Sequence, residues 1–280
     1  MRVLITGSSG QLGKAVVEFF FKNGADVYPI PHSRLDITNR QAVEDIIRAY
    51  LPEIVINCSA FTDVDKCEEE KDKAYRVNAL GPKNLAITSE KYNIHLIHIS
   101  TDYVFDGEKD TPYIEFDNTN PINTYGKSKL EGEHFVERFS KRYTIVRTSW
   151  LYGDGNNFVR KIIERAKKDT VLKVVDDQIG SPTYTYDVAK ALLNIVKEGA
   201  YGIYHCANKG IVSRFEEAKF IVKNLGLNVE VLPVKSEDYH TLAKRPRYTP
   251  LENYLLELEG VFYARDWESA MEEFLRGEDI

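Results

Sequence analysis

The sequence predicts an α/β protein: a doubly wound parallel sheet followed by a smaller, mixed C-terminal region. Three observations point there. Short apolar runs alternate with longer amphipathic stretches up to about residue 150, and parallel neighbours need the crossovers that helices supply. A glycine-rich turn joins the first apolar run to the first amphipathic stretch. The chain has 280 residues, 43% of them hydrophobic, so it can bury a full core without a disulfide or metal staple. At about 150 residues per domain, that length suits two closely packed parts.

The elements follow in order. Val3-Leu4-Ile5 reads as the first strand. Residues 12–22 place Leu12, Val16, Phe19 and Phe20 at helical spacing, and Gly24 is a stop signal. Residues 25–30 read as a second strand, 41–49 as a helix and 54–56 as a third strand. The stretch 72–91 reads as one long helix or two short ones. Residues 95–100 form the fourth strand, 123–139 a helix and 143–147 the fifth strand. After Trp150 the alternation loosens. Helices are expected at 157–168, 187–197 and 216–225, with a strand at 201–207. Residues 235–250 are polar and irregular.

Composition excludes several classes. Charged residues at 29% rule out collagen-like and disordered chains. Lys+Arg of 37 against Asp+Glu of 43 gives a charge of −6. That balance argues against a nucleic-acid partner, which usually needs a basic face. It leaves room for an anionic small ligand in a local basic pocket. Cys58, Cys67 and Cys206 are an odd count without CxxC spacing, which fits a reducing compartment. His95 and His98 fall on opposite faces of a strand, so they do not share a metal. The opening MRVLITG is too short for a signal-peptide core, and no apolar run approaches a membrane span. A soluble cytoplasmic protein with no membrane partner is expected.

The first chemical motif is Gly7-Ser8-Ser9-Gly10-Gln11-Leu12-Gly13, a GxxGxxG spacing. Three glycines in seven residues prove little alone. Here they follow a strand and open a helix, the context a pyrophosphate loop requires. Glycine lets the backbone approach a phosphate closely, and the helix N-terminus offers free N–H groups. At the extreme N-terminus this spacing resembles that of extended short-chain dehydrogenase/reductases. The resemblance implies a Rossmann-type fold, a Tyr-x-x-x-Lys pair, and a Ser or Thr at the end of the fourth strand.

Of 17 tyrosines, two have lysine four residues on: Tyr125/Lys129 and Tyr186/Lys190. Position decides between them. Tyr125 opens the helix that follows the Ser100-Thr101-Asp102 strand end, at the cofactor edge of the sheet. Tyr186 lies beyond the fifth strand and reads as structural. The i, i+4 spacing puts phenol and ammonium on one helical face. The ammonium is expected to lower the phenol's ordinary pKa of about 10. The phenol then exchanges a proton with a substrate oxygen, and Thr101 bonds the same oxygen.

A finer resemblance rests on longer segments. They are Ser100-Thr101-Asp102-Tyr103-Val104-Phe105-Asp106-Gly107, Pro121 to Lys129, Arg147-Thr148-Ser149-Trp150-Leu151-Tyr152-Gly153, Asn156-Asn157-Phe158, Asp177 to Thr183 and Arg245-Pro246. Together they resemble the dTDP-4-dehydrorhamnose reductase family from Met1 to about Trp267. The resemblance implies hydride transfer from a reduced nicotinamide to the 4-keto group of a deoxysugar nucleotide, dTDP-4-dehydro-L-rhamnose in the family. The implied catalytic residues are Thr101, Tyr125 and Lys129. Asp102, Val104 and Trp150 are implied to face the sugar, with Gln178 and Arg245 nearer the nucleotide. An Arg can bond phosphate oxygens bidentately.

Cofactor contacts carry over in the same way. Gly7, Gly10, Gln11, Leu12 and Gly13 form the loop. Asp36 and Ile37 match adenine contacts, and Cys58, Ser59 and Ala60 end the third strand beneath the cofactor. Thr62 and Asn78 are further candidates. Ser100, Tyr125 and Lys129 complete the set, Lys129 also reaching the nicotinamide ribose. No acid stands in Val27-Tyr28-Pro29-Ile30-Pro31-His32-Ser33-Arg34, where an NAD-selective site places one. Arg34 can pair with a 2′-phosphate, so NADPH is expected to be preferred, with NADH still usable.

The expected division is a dinucleotide-binding domain at 1–150, completed by about 183–206. The substrate-binding region is then 151–182 and 207–280. Some family members carry a Glu two residues after the third glycine, at a magnesium site between subunits. This chain has Ala15 there, so no metal and no metal-bridged dimer are expected, while a homodimer stays open. Other readings stay open too. A 4-epimerase uses the same Tyr/Lys pair. A 4,6-dehydratase is argued against, because it needs Asp-Glu after its Thr and Asp102-Tyr103 stands here. The regulatory β subunit of methionine adenosyltransferase resembles this family without being an enzyme; intact Thr101, Tyr125 and Lys129 favour catalysis.

Overall fold

The computed structural model describes residues 1–239 and 241–277. Residue 240 of the expected irregular stretch, and the last three residues of the expected C-terminal region, lie outside the described residues. Strands and helices alternate through β1 Arg2–Thr6, α1 Gln11–Lys22, β2 Asp26–Ile30, α2 Arg40–Tyr50, β3 Ile54–Asn57, α3 Val64–Glu69, α4 Lys71–Tyr75, α5 Gly81–Lys91, β4 His95–Thr101, α6 Thr124–Phe139 and β5 Tyr143–Thr148. Next come β6 Leu151–Tyr152, α7 Phe158–Ala166, β7 Val171–Val175, β8 Ile179–Gly180, β9 Thr183–Tyr184, α8 Thr185–Glu198 and β10 Gly202–His205. The chain continues with β11 Val212–Ser213, α9 Arg214–Asn224, β12 Glu230–Val234, α10 Tyr254–Leu258 and α11 Trp267–Arg276.

Six strands make one parallel sheet in the order β10-β5-β4-β3-β1-β2. The strand order reverses between β1 and β3, the point at which such sheets open a crevice for ligand. Side chains of period two divide between the faces. Val3 and Ile5 pack with Val16 and Phe20 of α1 and Val188 and Leu192 of α8. Leu4 joins Val43 and Ile47 of α2, Leu85 of α5 and Val136 of α6 on the other face. With helices on both sides, every residue of β3 and β4 is buried. A separate core of Tyr152, Ile162, Leu172, Ile221, Trp267 and Met271 holds the C-terminal elements together.

The two β4 histidines have separate partners, as their opposite faces require. His95 Nε2 meets Thr144 Oγ1 at 2.8 Å, and His98 Nδ1 meets Asn57 Nδ2 at 3.0 Å. Burial pulls His95 down to about 4 and His98 well below its ordinary value. Among the described residues, no helix is long and apolar enough to cross a membrane.

The 72–91 stretch is helical throughout, two short α-helices as expected, but the π-helical turn joining them was not expected. α4 runs into a π-helical turn at Arg76–Leu80 and then into α5. The turn accommodates α6: a Cβ on Gly132 would stand 2.2 Å from the Asn78 carbonyl oxygen. Asn78 is fully buried, and its amide bonds both backbone groups of Phe61 and the Ser128 hydroxyl. Helix α3 was not expected either. Asp63 starts it by accepting from the Lys66 N–H.

Candidate active site

Two glycines of the first loop are required by close approach. Gly7 has φ +64°, and a Cβ there would stand 2.7 Å from the Ser59 nitrogen. A Cβ on Gly13 would stand 2.2 Å from the Gly7 carbonyl oxygen. Helix α1 starts at Gly10 with no side-chain cap and no acid in its first turn. Its leading N–H groups therefore face outward with the positive dipole end behind them. This cradle fits a pyrophosphate.

The cradle opens onto a cavity of about 560 Å³. Of the residues expected to contact a cofactor, Gly10, Gln11, Leu12, Gly13, Cys58, Ala60, Thr62 and Ser100 line it. Thr101, Asp102, Tyr125, Lys129 and Trp150 line it as well. Helix α6 reaches the end of β4 because Asn123 caps it, accepting from Gly126 N at 2.8 Å. Gly126 has no side chain to keep it off the loop; a Cβ there would stand 2.0 Å from the Tyr103 carbonyl oxygen. Tyr125 thus comes beside Thr101 at the end of β4, and both line the cavity. The Thr101 hydroxyl also accepts from Tyr103 N at 3.1 Å and donates to Asp102 at 3.0 Å. One turn along α6, Lys129 Nζ donates to the Ile99 carbonyl at 2.5 Å.

Burial dominates the electrostatics. It pushes the Tyr125 phenol well above its ordinary value, and the neighbouring Thr101 hydroxyl acts against it. The expected lowering of the phenol by Lys129 is therefore corrected: desolvation wins. The same burial pulls Lys129 down to about 8, with the Glu133 carboxylate opposing. Asp102 is pushed up to about 6 by burial, while the Thr249 and Thr101 hydroxyls favour its charged form. Burial lifts the Cys58 thiol to about 12, so it is not a thiolate. Behind Lys129, Glu133 accepts from the Ser100 hydroxyl and pairs with Arg147 at 2.7 Å.

Other expected residues stand outside the cavity lining, each for a visible reason. Gly7 lies beneath the loop against Cys58 and Ser59. Asn78 is occupied by Phe61 and Ser128. Ile37 is buried against Gly81, and the exposed Asp36 accepts from Thr38 N at 2.9 Å. Arg34 donates to the Tyr28 hydroxyl at 3.1 Å. Val104 is packed with Phe105 and Tyr113 in a small core. Gln178 donates to Ser236 at 3.0 Å. Arg245 is paired within the protein. Both arms of its fork hold Asp65, at 2.8 and 2.6 Å, and this pairing keeps Asp65 down at about 2.

Sequence reasoning missed part of the lining. Asp154, Arg214 and Glu217 border the cavity. Asp154 pairs with Lys14 at 2.9 Å, and Asn157 bonds Gln11 at 3.2 Å, so the 150s loop is stitched to the glycine loop. A signal existed for Arg214 and Glu217. Ser213 and Glu216 form a capping box that marks a helix start, one residue before Arg214.

The family model described as the RmlD substrate binding domain matches residues 1–279. A dTDP-4-dehydrorhamnose reductase from Mycolicibacterium smegmatis is 41% identical over 279 residues, 97% of this chain and 84% of that protein. The crystal structure of a dTDP-4-dehydrorhamnose reductase from Clostridium acetobutylicum superposes with TM-score 0.97 at 46% identity, covering 99% of both chains. A Bacillus anthracis dTDP-4-dehydrorhamnose reductase, solved in complex with NADP, gives TM-score 0.97 at 43% identity and the same coverage. With the family model matched over residues 1–279 and likeness to these reductases along nearly its whole length, the chain belongs to the dTDP-4-dehydrorhamnose reductase family.

Proposed function

We propose that this chain reduces the 4-keto group of a dTDP-linked deoxysugar, with NADPH as cofactor and dTDP-4-dehydro-L-rhamnose as substrate. The observation that carries the reading is Thr101, Tyr125 and Lys129 around one cavity that also receives an uncapped helix N-terminus. The reductase names and the NADP complex among the relatives support it. Gly10, Gln11, Leu12 and Gly13 would hold the pyrophosphate, and Cys58, Ala60 and Thr62 would floor the site. When bound, the reduced nicotinamide supplies the hydride. Tyr125 stays protonated at neutral pH because burial raises it, which suits a proton donor to the developing alkoxide. Thr101 bonds the same oxygen. Lys129 balances the phenolate left behind. Residues 1–150 with 183–206 form the dinucleotide part in this reading, and 151–182 with 207–280 the substrate part. Three free cysteines suit a reducing compartment, and we place the enzyme in the cytoplasm. NADPH oxidation measured against a panel of 4-keto sugar nucleotides tests the reaction; oxidation with none of them removes it.

Cofactor choice gives a narrower test. NADPH is expected to exceed NADH in kcat/KM, because no carboxylate between residues 27 and 34 repels a 2′-phosphate. Arg34 is exposed, donating to the Tyr28 hydroxyl and lying over the Tyr28 ring. Arg34→Ala should therefore lower the NADPH/NADH ratio. A wild-type preference for NADH, or an unchanged ratio in the variant, removes Arg34 from the site. Chelation should leave activity whole, since position 15 is a buried alanine rather than a carboxylate. Loss in EDTA, restored by magnesium, is the contrary result.

A further inference from the structure

Trp150 is held in a conformation that an aromatic residue seldom adopts. Its φ is +44°, in the left-handed region. Its carbonyl accepts from Thr183 N at 3.2 Å. Its indole lies against Gly180, where a Cβ would stand 2.3 Å from Cε2 and 2.6 Å from Nε1. The Arg214 guanidinium carbon lies 3.4 Å from the indole centroid and 4.5 Å from the Phe158 ring centroid. Arg214 Nη1 donates to Glu217 at 2.8 Å, and its backbone N–H donates to the Gln178 carbonyl at 3.1 Å. The Glu217 side chain is fully buried, with one carboxylate oxygen lacking any hydrogen-bond partner. A buried carboxylate is stable only beside a compensating charge, so Glu217 fixes where the guanidinium sits. Trp150, Arg214 and Glu217 all line the cavity.

We propose that Arg214, anchored by Glu217, is a positioning residue that stacks on Trp150 and fixes the indole as a rigid wall of the sugar pocket. The proposal rests on the reading of this cavity as the sugar-nucleotide site. A planar guanidinium stacks on an aromatic face while its edge stays free to pair with a carboxylate; an ammonium does not. Gly180 is needed because any side chain there displaces the indole.

The chain has two tryptophans, Trp150 and Trp267. Fluorine NMR of the full chain labelled with 5-fluorotryptophan therefore gives two signals, assigned with Trp150→Phe. Trp267 is buried against Phe220 and reports on general folding. Arg214→Met, Arg214→Lys, Glu217→Gln and Gly180→Ala should each shift or broaden the Trp150 signal and leave that of Trp267 in place. Arg214→Met should raise KM for the sugar nucleotide about tenfold and leave KM for NADPH unchanged. In a Trp150→Phe background the same change should have little further effect, because Arg214 acts through the indole. An unmoved Trp150 signal in Arg214→Met and Glu217→Gln overturns the clamp. An equal KM rise in the Trp150→Phe background overturns positioning in favour of direct contact with substrate. The spectra need no substrate, so they judge the clamp even if the panel assay defeats the proposed reaction.

Discussion

Tyr125→Phe is expected to leave NADPH binding intact and to lower kcat by about 10²–10⁴-fold, the usual effect of losing a positioned acid. The substitution removes one oxygen and leaves the ring. That ring still meets Tyr103 edge-on at a centroid distance of 5.8 Å, and Asn123 still caps α6. Thr101 keeps its bonds to Tyr103 N and Asp102, so folding should change little. The loss should fall on the chemical step alone. Tyr186→Phe is the matched control, since Tyr186 also precedes a lysine by four residues. Its hydroxyl lies near Glu18 and its ring packs on Phe19 and Tyr184, away from the cavity lining. It should alter kcat by less than about twofold, as a surface-side hydrogen bond contributes little. Single-turnover rates and cofactor titrations on both variants decide the matter. If Tyr186→Phe proves the more damaging, the catalytic pair is misassigned.

The parts of this protein legible in the sequence are those set by local pattern. The Val3-Leu4-Ile5 run, the helical spacing of Leu12, Val16 and Phe20, and the glycines between them all register within a few residues. The Tyr125/Lys129 spacing is local too, and its place after β4 separates it from the second pair. What stayed hidden depends on partners far along the chain. Asp65 and Arg245 are 180 residues apart, so no nearby residue shows that the Arg245 fork is already filled. Asn78 reads as a free amide until Phe61 and Ser128 arrive from other elements. The π-helical turn beside it answers to Gly132 of a different helix. Val104 lies within a family-like segment but points into a core with Phe105 and Tyr113. Arg214 and Glu217 come to the cavity only when α9 docks beside Trp150. Arg147 is the sharpest case, the one charged residue of β5, with its partner on α6.

That pair carries the largest expected effect on stability. Arg147 and Glu133 are almost wholly buried, with 5% and 1% side-chain exposure. Arg147 reaches Glu133 with two nitrogens, at 3.1 and 2.7 Å, and Ser100 donates to the same carboxylate. Arg147→Met leaves the Glu133 carboxyl buried without its guanidinium partner, and should cost about 3–5 kcal/mol. For a chain of this size Tm should fall by about 10 °C. Arg147→Met combined with Glu133→Leu should recover part of that loss, because the carboxylate is no longer stranded, although buried Lys129 then lacks its neighbouring charge. If the double variant is no more stable than Arg147→Met, the stranded carboxylate is not the cause. The pair also bears on catalysis. Glu133 is four residues beyond Lys129 on α6, and its carboxylate raises a lysine that burial pulls down to about 8. Turnover that needs the ammonium should therefore fall as pH rises through about 8. Glu133→Gln removes the upward pull, so that limb should shift to lower pH. The sign for stability runs the other way. The folded chain holds the Lys129 proton less tightly than the unfolded chain, whose value is about 10.4. Between the two values the unfolded state binds more protons, so this group makes stability rise with pH. A kcat profile whose alkaline limb stays put in Glu133→Gln would show that Glu133 does not tune Lys129.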